Sequence, residues 1–206
     1  MSRKFKPRQR LSGVRDARLI VIASEGANTE PQYFRGLAAK YQNSKVKIHL
    51  LERENPVESS PKHVLETLDD FQGKYDWENG DEFWLVIDVD RWGDAKLAEI
   101  AQVSVQKDYN LAVSNPCFEL WLLLHLKSLD DYTSETLTEF KVNARINANR
   151  NRLEAELLEI LGEYNKKNLN PGRFLPHIEV AVERARKLDN PELRWPNDLG
   201  SRVFIG

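Results

Sequence analysis

Asp81-Glu82-Phe83-Trp84-Leu85-Val86-Ile87-Asp88-Val89-Asp90-Arg91-Trp92-Gly93 is the stretch on which the reading of this chain turns. Residues 83–87 are an unbroken apolar run, rich in aromatic and β-branched side chains and bounded by turn formers. That is the pattern of a strand buried on both faces. The run delivers Asp88 and Asp90, which share a face of an extended segment. Two like charges at the exit of a buried strand are unfavourable unless a cation or cationic group offsets them. Two readings stand side by side here, a divalent-metal site and a turn that begins with Asp.

Working outward, residues 19–23 (Leu-Ile-Val-Ile-Ala) form a similar run that also leads to an acid, Glu25. Gly26 follows and permits a tight turn or a close backbone approach. Thr29 and Gln32 have the spacing of a capping box, and Pro31 suits a first helical turn. A helix is expected from there to about Lys40, burying Phe34, Leu37 and Ala38. Glu30 falls at its start, where the helix dipole favours an acid. Residues 46–51 read as a strand, 61–72 as a helix with Val64, Leu65 and Leu68 inward, 94–105 as a helix and 109–113 as a strand. This alternation predicts an α/β fold with a mainly parallel sheet flanked by helices and right-handed crossovers. In such a sheet Glu25, Asp88 and Asp90 lie at the carboxyl edge, where open α/β sheets bind ligands.

Residues 114–125 (Ser-Asn-Pro-Cys-Phe-Glu-Leu-Trp-Leu-Leu-Leu-His) predict a helix capped by Asn115, with Pro116 at its first position. It is apolar nearly all round and therefore buried. Glu119 and His125 are its polar exceptions. Acids are rarely buried without a partner, so Glu119 reads as support for a site; His125 reads first as a core histidine. From Ser128 the composition shifts. Asp130, Asp131, Thr133 and Ser134 mark a loop, and Lys141, Arg145, Arg150 and Arg152 make residues 141–152 basic. Helices are expected over 153–161 and 176–188, a loop over 191–198 and a closing strand at 203–205. The organisation expected is a basic arm (1–17), an α/β core (18–128) and a mostly helical C-terminal part packed on that core (129–206).

The 206 residues carry a net charge of −2 and 41% hydrophobic side chains, enough for a sizeable core and with no overall charge that advertises nucleic acid. The single cysteine, Cys117, excludes an internal disulfide and a multi-cysteine zinc site. No long apolar run suggests a membrane span, and the basic start lacks the apolar segment of a signal peptide. A reducing cytoplasm fits best. Arg3, Lys4, Lys6, Arg8, Arg10, Arg15 and Arg18 face only Asp16, so the arm is either a phosphate-binding element or a solvated terminus. Three carboxylates without thiolates select a hard cation, Mg²⁺ or Mn²⁺. No Walker A, Gly-x-Gly-x-x-Gly or Gly-x-Ser-x-Gly pattern is present.

Glu-Gly after a first strand and Asp-x-Asp after a later one resemble the Toprim metal site of topoisomerases, primases, recombination proteins and overcoming-lysogenization-defect nucleases. More specifically, Glu25-Gly26-x-x-Thr29-Glu30-Pro31-x-Tyr33-Phe34, Asp88-Val89-Asp90, the run from Ser114 to Trp121 with His125, and Tyr164-x-Lys166 resemble the RloB-like family, also called the AbiLii type of abortive-infection protein. The resemblance extends from about Arg18 to the C-terminus. It implies a Toprim-like fold and a Mg²⁺-dependent nuclease of bacterial anti-phage defence, working beside an AAA- or ABC-type ATPase encoded nearby. It also implies that Glu25 acts as general acid/base, that Glu25, Asp88 and Asp90 form the metal site, and that Glu30, Asn115, Glu119 and His125 support it. Lys166 would help hold the nucleic-acid backbone. Asn28 departs from the family, whose members often carry lysine there. The alternatives to a nuclease are a non-catalytic module that binds nucleic acid or a partner, and a toxin-like effector held inactive by its partner. Assembly into a homo-oligomer is open under each.

Overall fold

A computed structural model describes residues 17–51, 60–89 and 92–204; most of the basic arm, Asp90, Arg91 and Ile205 lie outside the described residues. Strand and helix alternate through the first half: β1 (Arg18–Ser24), α1 (Thr29–Tyr41), β2 (Val46–Leu51), α2 (Pro61–Lys74), β3 (Glu82–Asp88), α3 (Asp94–Gln106) and β4 (Asn110–Asn115). Then come α4 (Phe118–Leu126), α5 (Ser134–Val142), the short hairpin β5 (Arg145–Asn147) and β6 (Arg150–Asn151), α6 (Arg152–Leu161), α7 (Ile178–Leu188) and β7 (Gly200–Ser201).

The main sheet has the order β2-β1-β3-β4-β7. Its first four strands are parallel and β7 is antiparallel to β4. The α/β fold expected from the alternation is therefore present, and it is consistent with a Toprim-like architecture. The apolar strand runs are continuous because both faces are covered. In β1, Leu19, Val21 and Ala23 pack toward α2 and α3, with Val64, Leu68, Leu97 and Ile100. Ile20 and Ile22 point the other way, toward Phe34 of α1 and Trp121 of α4. The chain leaves β1 toward β2 on one side and continues from β3 toward β4 on the other. The order reverses between β1 and β3, and the crevice outside the strand ends at such a reversal is where α/β sheets bind ligands.

α4 is the buried centre of the second half. All its residues from Phe118 to His125 are buried, and it is packed by α6, α7 and β7. Phe140, Leu153, Leu157, Phe174 and Ala181 join the same core as Ile22 and Val86 of the sheet. α6 begins with a capping box, Asn151 with Glu154, and ends at Gly162, which adopts φ 74°. Among the described residues no helix is long and apolar enough to cross a membrane.

Four local expectations are corrected. The capping box at Thr29 and Gln32 does not form: Asn28 holds the cap position without a side-chain bond. Gln32 is instead recruited by a distant loop, donating to the Lys166 carbonyl at 2.8 Å and accepting from the Leu169 N–H at 2.9 Å. Asn115 does not cap α4, because its backbone is still paired in the sheet opposite Gly200 and its amide donates to the Pro196 carbonyl. Ser134, expected with Asp130, Asp131 and Thr133 to mark a loop, instead begins α5, capped by the Thr133 hydroxyl. The closing strand lies at Gly200–Ser201, where the Ser114 and Ser201 hydroxyls meet at 2.8 Å; Val203 and Phe204, expected in it, are outside it.

Candidate active site

β1 and β3 are adjacent, with Ser24 opposite Val86. The strand pairing continues one step further through the Glu25 N–H, which donates to the Val86 carbonyl at 2.9 Å. Glu25 thus leaves its strand beside Asp88, at the carboxyl edge and at the reversal of strand order. Its carboxylate is 2% exposed. One oxygen, Oε2, accepts from the Asp88 backbone N–H at 3.3 Å and from the Trp92 indole N–H at 2.9 Å. Trp92 is positioned by its own backbone, whose N–H donates to the Val89 carbonyl across the turn. Asp88 is half-buried at the end of β3, and Asp90 lies outside the described residues.

Glu30 sits behind this edge. The Ser24 hydroxyl donates to the Gly26 carbonyl and helps close the turn. A side chain at Gly26 would overlap the Glu30 carboxylate, so glycine is required by close approach. Glu30 is buried, and its pKa is pushed up to about 7, first by burial and then by the charge of Glu119. Its first-turn placement explains why an acid stands there; its neighbours explain why it holds a proton tightly.

A second group of acids converges on Lys166. Its ammonium lies 3.0 Å from Glu119 Oε1 and 2.5 Å from Glu154 Oε1. The Tyr164 hydroxyl donates to Glu119 Oε1 at 3.2 Å. Burial works to lower the Lys166 pKa, but Glu119 and Glu154 outweigh it and hold the ammonium charged well above its ordinary range. Burial and the Glu119 charge push the Tyr164 hydroxyl up, so it stays a neutral donor. Lys166, singled out as a phosphate contact, thus has two carboxylates as its partners. Glu119 is joined to Glu30 electrostatically and to α6 through Lys166.

The remaining candidates are Asn115, one residue beyond the partner of Asp88 in the sheet, and His125. Asn115 ends the neighbouring strand β4, and its side chain anchors the 191–198 loop. His125 is buried in an aromatic cluster. Its Nε2 meets the Tyr33 hydroxyl at 3.0 Å, its Nδ1 meets the Trp121 carbonyl at 2.8 Å, and Phe174 packs edge-on. Burial lowers its pKa to about 4, so it is a neutral core histidine. Two residues join the site beyond the candidates named from the sequence. Trp92 stands two positions after Asp90, in the Arg91-Trp92-Gly93 loop expected to flank a substrate, but its hydrogen bond to Glu25 was not foreseen. Glu154 is announced by the Asn151-x-x-Glu154 capping spacing.

Among the described residues no group of three or more His, Cys, Asp or Glu side chains is arranged to hold a metal ion. The donors at the strand ends are nevertheless of the right kind. Glu25 and Asp88 offer hard carboxylate oxygens with no sulfur or imidazole beside them, which suits Mg²⁺ or Mn²⁺.

A family model described as RloB-like protein matches residues 20–204. The chain belongs to the RloB-like family. The match spans β1 to β7 and so includes both acidic groups of this RloB-like protein. No curated protein and no solved structure matches the chain.

Proposed function

We propose that this RloB-like protein is a Mg²⁺-dependent nuclease that hydrolyses phosphodiester bonds in bacterial anti-phage defence, in the cytoplasm and beside a partner ATPase. The observation that carries the reading is the placement of Glu25 and Asp88 side by side on adjacent parallel strands, at the reversal of strand order. Glu25, Asp88 and Asp90 would hold the cation. When bound, it would polarise a phosphodiester and lower the pKa of its water. The chain's own groups prepare that chemistry. The Asp88 N–H and the Trp92 indole fix the orientation of the Glu25 carboxylate. Burial strengthens its interaction with whatever charge approaches. Glu25 would take or return a proton at its carboxylate, and the basic arm of residues 1–17 would meet phosphates.

The test is cleavage of DNA and RNA with Mg²⁺ or Mn²⁺, by the protein alone and with the ATPase. Asp88→Asn should lower cleavage by about a hundredfold or more, the scale of losing one electrostatic contributor at an active site. Its metal-free melting temperature should change little. If no nucleic acid is cut under any of these conditions, the nuclease reading fails. One observation favours a non-catalytic module instead: Glu25 Oε2 already accepts two hydrogen bonds, a sufficient structural role. Calorimetric titration separates the two, since Mg²⁺ or Mn²⁺ binding that is lost in Asp88→Asn is required by the nuclease.

A further inference from the structure

Behind the Lys166 group, a cavity of about 700 Å³ opens between α6 and the loop of residues 162–174. Its volume falls within the roughly 300–1,000 Å³ typical of small-ligand sites. Its lining divides by chemistry. Arg150 and Arg173 supply guanidinium groups, Asn168 an amide, and Tyr164, Leu161 and Phe174 an apolar wall.

Both guanidiniums keep donors to spare. Arg150 uses one N–H on the Tyr164 carbonyl at 3.4 Å. Arg173 gives one to the Leu161 carbonyl at 3.3 Å, and its other contact is Glu163 at 3.7 Å. Glu163 is 82% exposed, so that pair contributes little and yields readily to a better anion. A guanidinium carries five N–H donors in a planar fork, so most of them remain. The Asn168 amide makes no hydrogen bond among the described residues and can donate and accept.

The loop is held in shape before any ligand arrives. Asn165 and Asn170 accept from the backbone N–H groups of Lys167 and Gly172. Gln32 ties the loop to α1 at Lys166 and Leu169. Gly36 lets Pro171 lie against α1 so closely that a side chain there would collide with its ring. A preformed site loses less entropy on binding.

We propose that this cavity binds a nucleoside phosphate, with the phosphate on Arg150 and Arg173, the base or sugar on the apolar wall, and Asn168 reading a polar edge. A guanidinium matches the bidentate geometry of phosphate oxygens, and the apolar edge supplied by Leu161, Tyr164 and Phe174 suits a ring rather than a bare anion. The unit can come from a nucleic-acid strand or from a free nucleotide. The proposal stands independently of the metal reading, because nothing in the cavity depends on Glu25 or Asp88.

The experiment is fluorescence anisotropy on the full chain in a chelator, which prevents cleavage. The probes are a short fluorescein-labelled single strand of DNA, the same strand in RNA, and a fluorescent adenine nucleotide. Binding of a strand alone assigns the unit to nucleic acid; binding of the nucleotide assigns it to a free ligand. Arg150→Gln and Arg173→Gln should each weaken binding by about tenfold or more, the scale of a lost charged hydrogen bond. Arg173→Lys should recover part of the loss. If the arginine variants do not fold, Asn168→Asp brings a like charge to the same wall from an exposed position, and it should weaken binding as well. No binding of any probe by the wild-type protein overturns the proposal. So does unchanged affinity in folded Arg150→Gln, Arg173→Gln and Asn168→Asp. Cleavage measured separately with Mg²⁺ can succeed or fail without bearing on either outcome.

Discussion

Two acidic regions lie close together and are neutralised differently. At the strand ends, Glu25 is buried on N–H donors from Asp88 and Trp92. Under α4 and α6, Glu119 and Glu154 share the ammonium of Lys166, and Glu119 also accepts from the hydroxyl of Tyr164. N–H donors fix the direction of a carboxylate, whereas an ammonium also pairs its charge. The first region presents an oriented carboxylate at a sheet edge, and the second ties helices together. Its task is to pin α4, α6 and the 162–174 loop to one another behind the first.

The comparison breaks most visibly at Lys166. Lys166→Met leaves two buried carboxylates without their cation, and removing one partner of a buried pair costs about 3–5 kcal/mol. The Lys166 side chain is 39% exposed, so solvent reduces the figure to about 2–3 kcal/mol. Chemical denaturation of the metal-free protein would measure it. If millimolar Mg²⁺ restores the lost stability, the second region is itself a cation site and the contrast with Glu25 disappears.

A pH-dependent effect separates Glu119 from the other buried polar group of α4. His125 is held neutral, its pKa lowered to about 4 by burial. The unfolded chain binds the proton near the ordinary value of about 6.5, so between these values the unfolded state holds more protons. Its contribution is complete above about pH 6.5 and is lost as pH falls toward 4. A shift of this size corresponds to on the order of 3 kcal/mol. Glu30 works in the opposite sense, since its raised pKa makes the folded state hold more protons below about pH 7. Melting curves of His125→Gln and wild type from pH 7.5 to 4.5 isolate the histidine: the variant should lose less stability on acidification. Equal slopes would mean that His125 titrates normally.

The sheet was legible because its signals are local. Continuous apolar runs at 19–23 and 83–87 require burial on both faces, and four parallel strands follow. The placement of Glu25 next to Asp88 was legible for the same reason, since direction is shared by all strands of a parallel sheet. What could not be read were partners brought from far along the chain. Gln32 has the spacing of a cap, yet a loop more than a hundred residues away claims its side chain. Asn115 has the look of a cap, yet the sheet still needs its backbone. Lys166 was singled out by resemblance, and nothing near it in sequence shows that Glu119 and Glu154 converge on it. Capping preferences are worth about 1 kcal/mol, and tertiary hydrogen bonds of similar size override them.

Gly26 joins the two regions, and it is where the smallest effect is expected. It lies between Glu25 and Glu30, and a methyl group there would overlap the Glu30 carboxylate. Glu30 is buried, so its carboxylate has to shift within the packed interior. Gly26→Ala should therefore cost about 1–2 kcal/mol by the scale of overpacking, read as a lower melting temperature at neutral pH. The same variant shows whether the regions act separately. Glu30 is coupled to Glu119 on one side and to Glu25 on the other, so a displaced Glu30 changes the field at both. If metal affinity at the strand ends is unchanged while stability falls, the Lys166 group is scaffold alone. If affinity changes in proportion, the buried acids set the charge that the cation meets, and the two regions form one electrostatic unit.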